Sequence, residues 1–267
     1  MRISHLPSEI FLSLLVTGSC FAPGCTPLTS IYFKNAEDQY AVGNLEGAIR
    51  EYDKALRFDS TNARAYSNRG LMFHEMGYLN EAIRDQTEAL RLSPKLADAF
   101  AYRGAARFDL YWRLRDERSD SLTGTVQVML DLSIAATKVL MLNDFTEAIR
   151  MRPEDDWAYN SRGRAHFEVG NYTDAIQDFS RAIFLNPWGT WAYYNRGLAE
   201  LEMQEYSRSI EDFTKSLESD REDGWAYFKR GEARLHSGDA ENGCDDLHRA
   251  MSLGVTEAAD MIDSECP

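Results

Sequence analysis

Two histidines and two cysteines near the carboxyl end of the chain are the residues best suited to chemistry. His236, Cys244, His248 and Cys266 are all types that bind zinc, but their spacing matches no compact zinc motif. The two cysteines can instead form a disulfide bond in an oxidising compartment, with two free thiols as the alternative. We therefore predict a Cys244–Cys266 disulfide and no metal site.

Motifs that mark common enzyme classes are missing from the sequence. It contains no nucleotide-binding loop, no Gly-x-Ser-x-Gly and no His-Glu-x-x-His. Asp and Glu are so abundant that no particular carboxylate pair stands out as catalytic. No catalytic residue and no cofactor is predicted, so we expect a protein that is not an enzyme.

Five arginines recur at regular intervals, each directly before a glycine. Acidic residues recur in the same rhythm, at a constant separation before the arginines. A guanidinium can bind a carboxylate through two parallel hydrogen bonds, which predicts structural ion pairs between successive repeats. A row of ligand-binding arginines is the alternative. The predicted pairs are Glu51/Arg69, Asp85/Arg103, Asp144/Arg162, Asp178/Arg196 and Asp212/Arg230.

These arginines belong to a longer pattern that repeats at a constant interval. The sequence aromatic-x-x-Arg-Gly recurs up to Gly231, with one longer step between Gly104 and Gly163. Apolar residues fall at helical spacing, and a glycine-containing turn divides each repeat into two helices. Prolines such as Pro94 close repeats, because proline cannot continue a helix. The pattern predicts six helix pairs over about residues 29–255.

This pattern resembles the tetratricopeptide repeat (TPR) family, although Arg stands where that family has Leu. The resemblance implies an all-α fold, a right-handed α-solenoid of about six helix pairs whose first helices line a concave groove. A capping helix is predicted over residues 256–267, with Thr256 as its N-cap.

In the TPR family, particular positions of the first helices hold the partner. Transferring these positions gives an aromatic strip in the last three repeats, although packing of the same tryptophans in the core is an equal alternative. Phe33 and Glu37 occupy the positions of a carboxylate clamp in the first repeat, so no such clamp is expected. The predicted partner-binding residues are Trp157, Asn160, Arg164, Phe167, Trp191, Tyr194, Leu198, Trp225, Phe228 and Glu232.

The longer step between Gly104 and Gly163 places an insertion in the third repeat, at about residues 109–133. Residues 111–121 predict a loop, and residues 125–152 predict one long helix without Pro or Gly. Residues 126–142 contain only two charged side chains. This stretch either projects as an apolar interaction surface or folds back over the solenoid.

Residues 1–24 have the features of a secretory signal peptide: a charged start, a short apolar run and small residues. The apolar run is too short to span a bilayer. Residues 21–25 resemble the lipidation site of bacterial lipoproteins at Cys25, with Cys20 as a rival site and a plain N-terminal helix as the alternative. We expect an exported protein, periplasmic or anchored to the outer membrane as a lipoprotein.

The net charge of −14 disfavours nucleic acid and anionic membrane surfaces as partners. The predicted function is therefore a non-catalytic scaffold that binds a protein or peptide partner in its groove, with membrane contact only through a lipid anchor. The alternative is a self-assembling structural protein, a homodimer formed through the insertion in the third repeat.

Overall fold

The computed structural model describes residues 27–118 and 124–266, and every regular element in this part of the chain is an α-helix. The predicted signal peptide and both candidate lipidation cysteines, Cys20 and Cys25, lie outside the described residues. The helices are α1 (Pro27–Ala41), α2 (Leu45–Phe58), α3 (Ala63–Glu75), α4 (Leu79–Leu92), α5 (Ala97–Asp116), α6 (Gly124–Met151), α7 (Asp156–Glu168), α8 (Tyr172–Leu185), α9 (Thr190–Glu202), α10 (Tyr206–Ser219), α11 (Gly224–Ser237), α12 (Ala240–Ser252) and α13 (Ala258–Glu265).

The helices pack as successive hairpins. Helices α1 and α2, and α3 and α4, pair in a first compact unit that ends at Leu110. Helices α7 and α8, α9 and α10, and α11 and α12 pair in a second unit that starts at Tyr111. In both units the second helix of one hairpin packs on the first helix of the next. The predicted all-α architecture of stacked helix pairs is confirmed.

The turn inside each hairpin depends on one residue with a positive φ. Gly77 and Gly170 adopt φ angles of +78° and +80° there. The equivalent position of the fifth repeat holds Gln204 at φ +61°, the one non-glycine residue with positive φ among those described. A side chain at this angle is strained, so the α9–α10 turn is less favourable than the turns closed by glycine.

The glycine after each motif arginine lets two helices approach closely. A Cβ atom on Gly163 would lie 2.7 Å from Cε1 of Phe179, a side chain that is fully buried in the α7–α8 hairpin. Phe213 holds the same place beside Gly197 in the next hairpin. The small residue therefore makes room for the central aromatic side chain of each of these hairpin cores.

The insertion differs in part from its prediction. Residues 111–116 continue helix α5 instead of forming a loop, since Tyr111 is buried and Arg115 lies over the ring of Trp112 at 4.8 Å. The predicted long helix is confirmed as α6, which has 28 residues. Its C-terminal half packs on α7, where the buried Phe145 stands against Trp157. Helix α6 is also long and apolar enough to cross a membrane by length and composition, with 11% of its most apolar window buried.

Helix α13 covers the end of the last hairpin. Its Ala258 is buried, and Met261 and Ile262 pack against a cluster that contains Phe228 and Leu247. Thr256 is not the N-cap as predicted, because the helix begins two residues later behind Glu257, which makes no side-chain cap.

The structure joins the two cysteines that the sequence pairs, Cys244 on α12 and Cys266 after α13, with Cα atoms 5.7 Å apart.

Candidate partner-binding site

Four of the motif arginines form ion pairs inside their own repeats. Arg69 binds Asp85 through Nε and Nη2, at 2.7 and 2.9 Å. Three arginines of the second compact unit repeat this two-bond geometry, at distances between 2.6 and 2.8 Å. They form the pairs Arg162–Asp178, Arg196–Asp212 and Arg230–Asp246.

The predicted pairs between repeats are therefore wrong in register. Each of these four arginines binds the carboxylate 16 residues after it, on the second helix of the same hairpin. Successive repeats have the same length, so an acidic residue that precedes one motif arginine at a fixed separation also follows the arginine of the preceding repeat at a fixed separation. Asp212, for example, lies before Arg230 and after Arg196. Spacing alone cannot separate the two registers. The pairs that the structure contradicts in this way are Glu51/Arg69, Asp144/Arg162, Asp178/Arg196 and Asp212/Arg230.

Arg103 also differs from its prediction. Its predicted partner Asp85 is bound by Nε and Nη2 of Arg69. Nη1 of Arg103 donates instead to Oγ1 of Thr87, a hydroxyl on the preceding second helix, at 3.1 Å. The predicted Asp85/Arg103 ion pair is therefore wrong, and this contact of Arg103 with the preceding repeat is made to a neutral acceptor.

The third guanidinium nitrogen does connect neighbouring repeats. Nη1 of Arg196 donates to Oγ of Ser180 on the preceding second helix at 3.0 Å. Threonine hydroxyls accept the same bond in three other repeats, and Asp53 accepts it from Arg69. We call this arrangement the arginine staple: one guanidinium, the carboxylate 16 residues later and the acceptor 16 residues earlier.

The staple also explains the aromatic residue of the motif. The guanidinium of Arg230 lies 5.3 Å from the ring centroid of Tyr227, three residues earlier on α11. The same stacking recurs at each motif arginine, at distances up to 5.9 Å. Because Nε, Nη1 and Nη2 of Arg69, Arg162, Arg196 and Arg230 are all hydrogen-bonded within the fold, these side chains hold repeats together and are not a row of ligand-binding arginines.

One staple contains an additional carboxyl group. Glu200 on α9 is 5% exposed and lies beside Asp212, and its Oε2 has no hydrogen-bond partner. Burial, followed by repulsion from Asp212, raises the pKa of Glu200 to about 7. The equivalent position in the next repeat is Arg234, which binds Asp246 at 2.6 Å. The fifth repeat thus has repulsion where the sixth has attraction.

We expect Glu200→Gln to raise the free energy of unfolding at pH 8 by about 1–2 kcal/mol. A carboxyl whose pKa is raised in the folded state makes the fold lose stability as pH rises from about 4.5 towards 7. The amide does not titrate, so that part of the loss should vanish from urea unfolding curves at pH 5 and pH 8. Exposed Glu211→Gln is the matched control. Equal pH dependence in wild type and Glu200→Gln would contradict this account.

The three tryptophans of the predicted strip occupy different environments. Trp191, at the start of α9, is 55% exposed. Trp157 is half-buried and stands edge-on to Phe145 at 6.3 Å, and Trp225 is half-buried against Phe228 at 5.7 Å. Trp191 is therefore the tryptophan of the strip that offers an open aromatic surface.

The remaining strip residues divide between the core and local polar contacts. Tyr194 and Phe228 are buried in the cores of successive hairpins and leave little surface for a partner. Asn160 accepts a hydrogen bond from Asn195 at 3.0 Å, and Glu232 accepts one from Lys229 at 2.8 Å. The half-buried members of the strip are Arg164, Phe167 and Leu198.

Two exposed aromatic residues near Trp191 in the chain were not singled out by the sequence. Trp188 in the α8–α9 turn is 88% exposed, and Phe184 at the end of α8 is 72% exposed. Neither occupies a first-helix position of the repeat, so the repeat pattern does not point to them. They nevertheless give the α8–α9 turn a concentration of open aromatic surface.

The described residues contain no group of three or more His, Cys, Asp or Glu side chains arranged to hold a metal ion. His248 instead has its Nδ1 2.8 Å from the carbonyl oxygen of Cys244, and both cysteines are in the disulfide. His236 stacks on Tyr206 at 5.4 Å. His236, His248 and the two cysteines therefore contact other residues of the fold: a tyrosine ring, a backbone carbonyl oxygen and each other.

Four family models match the chain. A model described as TPR repeat matches residues 38–77, and models described as tetratricopeptide repeat match residues 63–96, 157–188 and 194–243. No curated protein matches by sequence.

Solved structures share the fold at low sequence identity. YrrB, described as a TPR protein with an unusual peptide-binding site, has 16% identity and a TM-score of 0.60, over 79% of this chain and 97% of its own. A tetratricopeptide repeat protein from Parabacteroides merdae has 19% identity and a TM-score of 0.63, over 85% and 80%. A chain of the APC/C hetero-tetramer Cut9–Hcn1 has 16% identity and a TM-score of 0.68, over 90% and 43%.

Proposed function

Because the chain belongs to the tetratricopeptide repeat family, we propose that it is a scaffold that binds a peptide partner along the first helices of its second compact unit. Members of this family generally serve protein interaction without catalysis. The observation that carries the finer proposal is Trp191, an exposed aromatic side chain at a first-helix position where the family holds its partners. A large exposed aromatic ring can bury much apolar area on binding at a small cost in side-chain entropy.

The proposed partner is a peptide with an apolar anchor and a net positive charge. The anchor would cover the ring of Trp191, and the polar pair Asn160–Asn195 of the two neighbouring first helices can exchange hydrogen bonds with a peptide backbone. The net charge of −14 favours association with basic segments, and that attraction should weaken with added salt.

A peptide display library selected on the purified protein tests this proposal. Selected peptides should bind Trp191→Ala about 30-fold more weakly than wild type, because a tryptophan at the centre of an interface contributes about 2 kcal/mol. Trp188→Ala is the matched control, since it removes an even more exposed tryptophan outside the first helices. Unchanged affinity for Trp191→Ala, or an equal loss in Trp188→Ala, would refute the assignment to the first helices.

Self-association is a second candidate function, favoured by the surface of α6. In its N-terminal half, Val126, Val128, Met129 and Leu132 are each more than 50% exposed. Exposed apolar surface on this scale is typical of interaction sites.

The proposed location is outside the cytoplasm, with lipid attachment at Cys25 or Cys20. The Cys244–Cys266 bond supports this location because structural disulfides persist in oxidising compartments. Fatty-acid labelling of the expressed protein, with Cys25→Ala and Cys20→Ala as variants, tests the attachment.

A further inference from the structure

Helix α6 carries an apolar stripe that the described parts of the chain leave uncovered. Its large members are between 56% and 61% exposed. On a helical projection they occupy one continuous side, with the polar side chains Asp131, Gln127 and Lys138 on the other. The α6 stripe consists of Val126, Val128, Met129, Leu132 and Val139, together with the exposed Ala136.

The centre of the stripe has the spacing of a helix-pairing seam. Met129, Leu132, Ala136 and Val139 follow one another at intervals of three, four and three residues. This alternation keeps apolar side chains facing a second helix along its length. The flanking residues Val128 and Leu140 are apolar, so no charge at these two positions opposes contact.

We propose that the α6 stripe pairs with the α6 stripe of a second copy of this chain in an antiparallel arrangement about Ile134. The proposal deepens the self-association described above and rests on it. The support is the symmetry of the seam about that residue: Met129 would face Val139 of the second copy, and Leu132 would face Ala136. Val128 and Leu140 are equally distant from Ile134. A large side chain thus meets a smaller one at each level, as good packing requires.

Length and charge argue against lipid as the occupant of the stripe. Thr137 and Met141 are the first buried side chains of α6, and Val139 between them is 57% exposed. The part of α6 before Met141, residues 124–140, is about 26 Å long at the helical rise, less than the roughly 30 Å hydrocarbon core of a bilayer. Helices that lie in a membrane surface have polar faces rich in Lys and Arg, whereas the polar side of this segment holds Asp131, Gln127 and a single lysine, Lys138.

Sedimentation velocity over the micromolar range tests the seam. The wild-type protein is expected to dimerise, and Leu132→Lys should weaken the dimer about 100-fold, because a lysine would be buried without a partner. Gln127→Lys is the matched control, since it adds the same charge on the opposite side of α6. A wild-type monomer at every concentration would overturn self-association and seam together, whereas a dimer that Leu132→Lys leaves intact would overturn only the seam.

Mixing two variants tests the antiparallel register. Ala136→Glu alone should also lose the dimer, but an equal mixture of Leu132→Lys and Ala136→Glu chains should recover it, because the new lysine faces the new glutamate. A parallel pair brings no such contact, so failure of the mixture to recover would overturn the arrangement about Ile134. Binding of monomeric protein to phosphatidylcholine vesicles, lost in Leu132→Lys, would identify lipid as the occupant and overturn the proposal.

Discussion

Arg196→Met is expected to lower the free energy of unfolding by about 3–5 kcal/mol at pH 8. The guanidinium is the partner of Asp212, whose side chain is 6% exposed, and it also binds Ser180 of the preceding repeat. Methionine preserves much of the packing but leaves Asp212 buried without a counter-charge. The nearby Glu200 increases the penalty, because without Arg196 no positive charge of this side chain offsets the repulsion between the Glu200 and Asp212 carboxylates.

The measurement is urea unfolding of Arg196→Met beside two comparison variants. Arg91→Met removes an arginine that forms an exposed ion pair with Glu88 on α4, and little change is expected from it. Adding Asp212→Asn to Arg196→Met should restore part of the lost stability, because the buried charge disappears. If Arg196→Met unfolds like Arg91→Met, the staple does not stabilise the hairpin.

Loss of the Cys244–Cys266 bond should lower the free energy of unfolding by about 3 kcal/mol. The cysteines are 22 residues apart, so the bond restricts a loop of moderate length in the unfolded chain. In the folded chain it holds α13, which has 8 residues and would be marginal alone. Without α13, the apolar side chains of Phe228 and Leu247 would lose part of their cover.

Urea unfolding of wild type and of Cys244→Ser/Cys266→Ser measures this effect. Dithiothreitol should destabilise the wild type to the level of the double variant and leave the double variant unchanged. Amide hydrogen exchange should rise in α13 first, since that short helix packs on the fold mainly through α12. Insensitivity of the wild type to dithiothreitol would contradict the prediction.

The sequence predicted the helix pairs well because its strongest signals are local. The arginine–glycine motif, the glycine turns and the prolines each act within a single hairpin, and the structure places hairpins where those signals recur. The ion-pair register failed because it depends on which of two helices lies beside an arginine. Asn35, which stands at the arginine position of the first repeat, donates to Glu51 at 3.4 Å, in the same register as the true pairs.

The candidate binding surface was harder to predict than the fold. The resemblance to the TPR family assigns Tyr194, Phe228 and Trp191 to first-helix positions that hold partners, yet the first two are buried and the third is open. Tyr194 packs with Phe213 of its own hairpin and Ala226 of the next, and Phe228 packs with Leu247 of its own hairpin and Ala258 of α13. A repeat pattern carries no information on how much of a shared face a neighbouring repeat will cover.

The arginine staple makes the repeats interchangeable. Its contacts reach 16 residues forward and 16 residues back, and both distances stay constant in successive repeats. If residues 190–223 were excised as one repeat, Arg230 would keep Asp246 and would find Ser180 in place of Thr214, another hydroxyl at the same separation. Duplication of a repeat would likewise create a junction with its contacts already complete. Such an array can grow or shrink by whole repeats without a compensating mutation at the junction, which is a route by which its length can evolve.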